Sequence, residues 1–281
     1  MNGKTMKLSP LSFLLFISFQ VAFAGEVKIT DPIVAKFKGK IASGDNEKIE
    51  SAISFLLKGR TEYNKKNGEP VWYPSAYLII NSSGGDIAEA IKIGRLVRKN
   101  NIKIDVELGG ICYSSCVFIY AGGVKRFSPG TNYVHNSGET NPIFGFNQIG
   151  IHRPYFEYSN NTVSVDKSLK NLIKISKEYF MEMNVKPELA DDMFSIEPEN
   201  IRLLSLNELK EYRLGNEDMA FKEKYILWKM KKFGMTREEY TEARHNFLKD
   251  INEYCFSGRD SEKVVKKCVS NFEIKYGFVD N

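Results

Sequence analysis

The chain has 281 residues, 42% hydrophobic and 27% charged, with a formal net charge of +5. That is globular composition with room for one large domain or two smaller ones. Lys4 and Lys7 account for two of the excess charges, and no stretch interleaves basic and aromatic residues, so nucleic acid is not an expected partner.

The first 24 residues read as a secretory signal peptide. Two lysines precede an apolar stretch from Leu11 to Phe23, and Ala22-Phe23-Ala24 supplies the small-residue cleavage pattern before Gly25. The apolar stretch is shorter than the ~20 residues of a bilayer span. No other segment is long and apolar enough, so no stable membrane span is expected once the signal is removed. The expectation is an exported, periplasmic or secreted protein.

Export alters the meaning of Cys112, Cys116, Cys255 and Cys268. In an oxidising compartment an even count points to disulfides rather than metal ligands. Four cysteines allow three pairings. Proximity favours Cys112 with Cys116 and Cys255 with Cys268; two free thiols or a cross-link to the tail are the alternatives. Cys112 and Cys116 could join only if Cys112 lies outside the helix, because positions four apart in a helix hold their Cβ atoms ~5–6 Å apart, against ~3.8 Å in a disulfide. A strained bridge on an accessible turn would be open to reduction.

From residue 27 the pattern alternates strand and helix. IVAKFKGKIASGD alternates as a strand, and NEKIESAISFLLKG is an amphipathic helix with Gly59 as its stop. RTEYNKKNGEP reads as a polar loop, and Tyr77 to Ile80 as a strand covered on both faces. IAEAIKIGRLVRKN is a helix with Asp86 as N-cap and Glu89 in capping-box position. IKIDVEL is a strand, and Ser115 to Ala121 a buried helix. This order predicts an α/β fold with parallel strands. Further on come a short strand near Ile149, a long helix over VSVDKSLKNLIKISKEYFMEMN, a short one over KPELADDMFSI, and a strand, helix and Gly stop over IRLLSLNELKEYRLGN. A charged, mostly helical tail starts at Met219. The expected division is 1–24 signal peptide, 25–218 α/β domain and 219–281 helical C-terminal extension.

NSSGGD and GGICYSSC both follow strands, where α/β folds place their chemistry. Without a Cβ at Gly84 or Gly85, a peptide N–H can face a bound carbonyl oxygen. A second N–H at the start of the next helix would complete an oxyanion hole, which GGICYSSC supplies if Ser114 is a nucleophile and Ser115 follows it. A serine hydroxyl needs a base at neutral pH, and the histidines are His135, His152 and His245.

Three blocks, LIINSSGGDIAEAIKIGRLVRK, GGICYSSCVFIYAGGVKRF and IGIHRP, resemble the Clp protease/crotonase superfamily, and in particular exported Clp-like serine peptidase-type proteins with a C-x-S-x-C block. The resemblance spans about residues 34 to 215 in element order. It implies repeated β-α units, a Ser nucleophile, a His base and an oxyanion hole of Gly84 or Gly85 with Ser115. Counting back from Gly123 places the nucleophile at Ser114; a register like that of signal peptide peptidases would select Ser115. His152 matches the histidine block, with His135 the alternative if HNSGETNPIFGF is not an insertion. The third member would lie near Glu199 and Asn200, with Asp191 and Asp192 as alternatives. No cofactor and no metal are implied. The substrate would be a peptide or protein, and a homo-oligomer is expected from the fold. The competing expectation is a catalytically silent Clp-like module that binds peptide or mediates assembly.

Overall fold

The computed structural model describes residues 24–127, 148–154, 162–256 and 261–278. Residues 1–23, which make up all but the last position of the expected signal peptide (1–24), and His135 lie outside them. In chain order the elements are β1 (Glu26–Asp31), β2 (Val34–Lys38), α1 (Asp45–Lys66), β3 (Tyr77–Asn81), α2 (Ile87–Lys99), β4 (Lys103–Val106), β5 (Ile111–Tyr113), α3 (Cys116–Gly122), β6 (Lys125–Phe127) and β7 (Gln148–Ile151). Then follow α4 (Thr162–Glu182), α5 (Glu188–Ser195), β8 (Arg202–Leu203), α6 (Leu206–Glu211), β9 (Asn216–Glu217), α7 (Met219–Phe233), α8 (Arg237–Asp250) with a π-helical turn (Ile251–Cys255), and α9 (Glu262–Lys275).

The chain is an α/β protein of two sheets. The larger runs β1-β2-β3-β4-β6-β9, with β2, β3, β4 and β6 parallel and an antiparallel strand at each edge. The smaller runs β5-β7-β8. Alternate residues of the parallel strands, Ala35 and Phe37, Leu78 and Ile80, Ile104 and Val106, are buried in one core with Ile49, Ile53 and Leu56 of α1 and Ala90, Ile93 and Val97 of α2. Each large aliphatic or aromatic side chain so buried contributes roughly 1.5–3 kcal/mol.

Several local expectations are corrected. β3 alternates in burial rather than being covered on both faces, since Tyr77, Ile79 and Asn81 are half-buried. A hairpin strand, β1, precedes β2; its residues are largely exposed, so it carries no core periodicity to read. α1 runs through Gly59. A methyl at Gly59 would sit 2.1 Å from the Pro32 carbonyl oxygen, so this glycine permits close approach of the β1–β2 turn instead of ending the helix. Residues 60–66 of the expected polar loop are therefore the end of α1, and only 67–70 are loop; within the helix end buried Arg60 donates to Asn100 O, and buried Asn64 donates to the carbonyls of Pro70, Val71 and Tyr73. Asp86 does cap α2 through Glu89 N (2.9 Å), but the Glu89 carboxylate turns away to accept from Gly44 N and Asn46 N at the start of α1. After α6 the left-handed position is taken by Arg213 (φ 59), ahead of Gly215.

The tail docks on the end of the large sheet where its parallel strands begin. Phe221 and Tyr225 of α7 pack against Trp72 and Tyr73 just before β3, and the Tyr225 hydroxyl donates to Glu69 (3.0 Å). Asp218, the N-cap of α7, pairs with Arg98 (3.2 Å) and accepts from Asn184 (2.8 Å). Phe233, Tyr240, Phe247 and Phe278 form a second aromatic cluster within the tail, and a Cys255–Cys268 disulfide ties the turn after α8 to α9.

Candidate active site

The opposite end of the strands gathers the motifs. β5 ends at Tyr113, α3 begins at Cys116, and Ser114 makes the corner with φ +56. That left-handed conformation costs a non-glycine residue roughly 1–2 kcal/mol, so its surroundings must hold it. Ser114 N donates to Gly150 O of β7 (3.0 Å), and Ser114 O accepts from Val117 N (3.1 Å) at the start of α3. A Cys112–Cys116 disulfide spans the corner with a Cα–Cα distance of 5.2 Å. The bridge exists because Cys112 sits in β5 rather than in the helix. Both cysteines are fully buried, which corrects the expectation of an accessible bridge.

The two adjacent serines differ. Ser114 retains some exposure (8%), whereas Ser115 is completely buried and its Oγ has no hydrogen-bond partner among the described residues.

The NSSGGD segment packs directly against this corner. Ser82 bridges to β5, donating its N–H to Ile111 O (2.8 Å) and accepting from Tyr113 N (3.0 Å). A methyl at Gly84 would lie 2.7 Å from Ser114 Cβ and 3.1 Å from Ser115 N, so only glycine lets the loop come this close. Gly84 and Gly85 both have positive φ (96 and 146). The Gly84 N–H is used by Ser82 Oγ (3.1 Å). The N–H groups of Gly85 and Ser115 donate to no acceptor among the described residues. From behind, Ile41 braces the loop: its N–H donates to Gly84 O (2.9 Å) and its carbonyl accepts from Asp86 N (3.0 Å).

His152 follows β7, the strand paired in parallel with β5 through Tyr113 and Gly150. Ser114 and His152 thus leave the same end of neighbouring strands. No hydrogen bond joins them. His152 is buried (7% exposed), and its Nδ1 lies 2.8 Å from Arg153 O. A carbonyl oxygen only accepts, so Nδ1 is the donor in this contact.

Glu199 and Asn200 are exposed on the turn before β8, which pairs with β7, and neither side chain is hydrogen-bonded to His152. Asp191 and Asp192 are engaged elsewhere, with Lys177 (2.7 Å) and with Arg202 and Tyr212 respectively. His245 is exposed on α8 in the tail.

Two supporting residues escaped the sequence reading. Asn81 Oδ1 accepts from Ile111 N (3.3 Å), pinning the start of β5, and Asn81 Nδ2 donates to Glu107 (3.0 Å). Lys36 holds Glu107 from the other side (3.0 Å). Hydrogen bonds from Asn81 and Lys36 keep the Glu107 carboxyl below the usual glutamate range. The available signal was the Asn that opens NSSGGD. Among the described residues no group of three or more His, Cys, Asp or Glu side chains could hold a metal, and no helix is long and apolar enough to cross a membrane.

No protein-family model matches the chain, and no curated protein matches it. Among solved structures, a ClpP1 mutant from Listeria monocytogenes is similar at 19% identity and a TM-score of 0.44, covering 66% of this chain and 90% of that one. A likeness at that level assigns no residue a role.

Proposed function

We propose that this chain is an exported serine hydrolase acting on peptide bonds, with Ser114 as nucleophile and His152 as general base. The observation that carries the reading is Ser114 itself: a non-glycine residue held at φ +56 on a strand-to-helix corner, beside two backbone N–H groups without acceptors among the described residues. A strained conformation that the surroundings over-determine is what a positioned nucleophile requires.

In the proposed reaction Ser114 Oγ attacks the scissile carbonyl carbon while His152 Nε2 removes the hydroxyl proton. The carbonyl oxygen becomes an oxyanion and accepts from Gly85 N–H and Ser115 N–H. The C–N bond then breaks as His152 returns the proton to the leaving amine. Water, deprotonated by His152, hydrolyses the resulting ester and restores Ser114. The Ser115 hydroxyl is buried and has no partner among the described residues, which favours Ser114 over Ser115 as the attacking group. The Arg153 carbonyl fixes the imidazole tautomer, the task of a triad acid. The reading is a Ser–His dyad or triad, with Glu199 and Asn200 as candidates for the third member. The two disulfides are compatible with an oxidising compartment. The proposal includes no cofactor, a peptide or protein substrate and a homo-oligomeric assembly.

Hydrolysis of a mixed fluorogenic peptide library by protein purified from an oxidising compartment tests it. Ser114→Ala and His152→Ala are each expected to lower kcat/KM by about 10³-fold or more, and Ser115→Ala, which keeps the N–H, by less than about 10-fold. Glu199→Gln and Asn200→Ala decide the third member. Activity unaffected by Ser114→Ala would overturn the assignment, and no turnover by the folded wild type would favour the silent module.

A further inference from the structure

Gly25 lies at the boundary read as the signal cleavage site, and its surroundings are unusual for a residue about to become a chain end. It is buried, and a methyl on it would sit 2.1 Å from the Phe37 ring. Its N–H points at Asp45 Oδ2 (3.2 Å). Asp45 has no solvent exposure at all, an uncommon state for a carboxylate. Its other partners are Ala42 N (2.9 Å) and Lys48 Nζ (2.8 Å), and Lys48 also reaches Gly25 O (3.1 Å).

We propose that Gly25 Nα, once freed, becomes an ammonium ion paired with the buried Asp45 carboxylate, and that this pair locks the brace of the Gly84–Gly85 loop. The inference rests on the reading of Ala22-Phe23-Ala24 as a cleavage site. A leader-type peptidase breaks the Ala24–Gly25 bond with water: hydroxide adds to the Ala24 carbonyl carbon, and the departing nitrogen takes up protons. The product nitrogen is already within hydrogen-bond range of its counter-ion, so little further ordering is needed. A neutral N–H donor is replaced by a charged one, and charge-assisted hydrogen bonds are roughly twice as strong as neutral ones.

The consequence reaches the candidate site through three residues. Asp45 holds Ala42 N, Ala42 follows Ile41, and Ile41 makes both main-chain bonds that brace Gly84 and Asp86. Glu89, at the first turn of α2, closes the circuit by accepting from Gly44 N and Asn46 N on either side of Asp45. Export processing would then do more than release the chain: it would stiffen the loop that carries the Gly85 N–H.

The test compares two forms of the chain from residue 25 onward, which contains every described strand and helix. One begins with a free Gly25 amine and the other with N-acetyl-Gly25. Acetylation keeps the N–H and replaces the carbonyl that Ala24 occupies in the unprocessed chain, so only the charge differs. The free-amine form is expected to unfold about 2–4 °C higher, with slower amide exchange at Ile41 and Asp86. The difference should vanish in Asp45→Asn. Equal midpoints and equal exchange in the two wild-type forms would overturn the ion pair, and that comparison stands even if Asp45→Asn fails to fold. N-terminal sequencing of exported protein addresses the underlying reading separately. A start at Gly25 supports it, and a start elsewhere means that the amine never arises in the cell and overturns the proposal on different grounds.

Discussion

The Ser114 amide donates to the Gly150 carbonyl across 3.0 Å, joining the corner after β5 to the strand that delivers His152. Gly150 is wedged: an added methyl would lie 2.6 Å from Ile201 Cγ2 and 2.8 Å from Tyr113 Cδ1. Gly150→Ala is therefore expected to cost roughly 1–3 kcal/mol by overpacking. Because the displaced strand carries the acceptor for Ser114, Ser114-dependent hydrolysis should fall in the folded variant. Urea denaturation together with the peptide assay checks both effects, and unchanged activity in a destabilised protein would separate the wedge from the site.

The Cys112–Cys116 bridge is buried, so reductant should act on it only when the corner opens. Alkylation after mild reduction of native protein is expected to modify neither cysteine, and alkylation after unfolding in reductant to modify both. The chain-entropy relation gives about 2 kcal/mol for this short loop and ~3 kcal/mol for Cys255–Cys268. Paired Cys→Ala replacements measured by denaturant titration check the ranking.

Gly59 offers a test of packing against propensity. Gly→Ala inside a helix ordinarily stabilises by roughly 0.5–1 kcal/mol. Here the methyl would meet the Pro32 carbonyl at 2.1 Å. Gly59→Ala is expected to destabilise by about 1–3 kcal/mol instead, read as a lower urea midpoint with an unchanged m-value.

These cases show what the sequence could and could not carry. The βαβ order, the α2 cap at Asp86, the two disulfide pairs and the convergence of NSSGGD with GGICYSSC rest on local patterns, and all were legible. Gly59 was misread because a glycine that ends a helix and one that admits a neighbouring backbone look alike in one dimension. Glu89 stood in capping-box position but bonds to α1, a partner 43 and 45 residues away. β1 is an exposed edge strand without a core stripe. Asn81 and Glu107 act across strands, so their pairing appears only when β3, β4 and β5 are placed side by side. Glu199 and Asn200 were nominated by position in a resemblance; that they lie exposed on the turn before β8, and that the Arg153 carbonyl meets Nδ1 of His152, appears only in three dimensions.

Asp105 on β4 gives a pH prediction. Burial pushes its carboxyl up to about 6. A carboxyl raised in the folded state is protonated in folded and unfolded chains alike below about pH 4, so it adds no penalty there; the penalty grows as pH rises and is complete above about pH 6. The full difference corresponds to ~3 kcal/mol, and partial exposure reduces the expected effect to about 1–2 kcal/mol. Asp105→Asn should therefore stabilise the protein at pH 7 and bring little gain at pH 4. Denaturant titrations at the two pH values check the sign.

The most direct measurement of the central claim is covalent labelling of the purified, folded protein with a fluorophosphonate probe, followed by peptide mapping of the adduct. The account predicts one adduct per chain on Ser114 Oγ, lost in Ser114→Ala and strongly slowed in His152→Ala. An adduct on Ser115, or no adduct under conditions that label a control serine hydrolase, would contradict it.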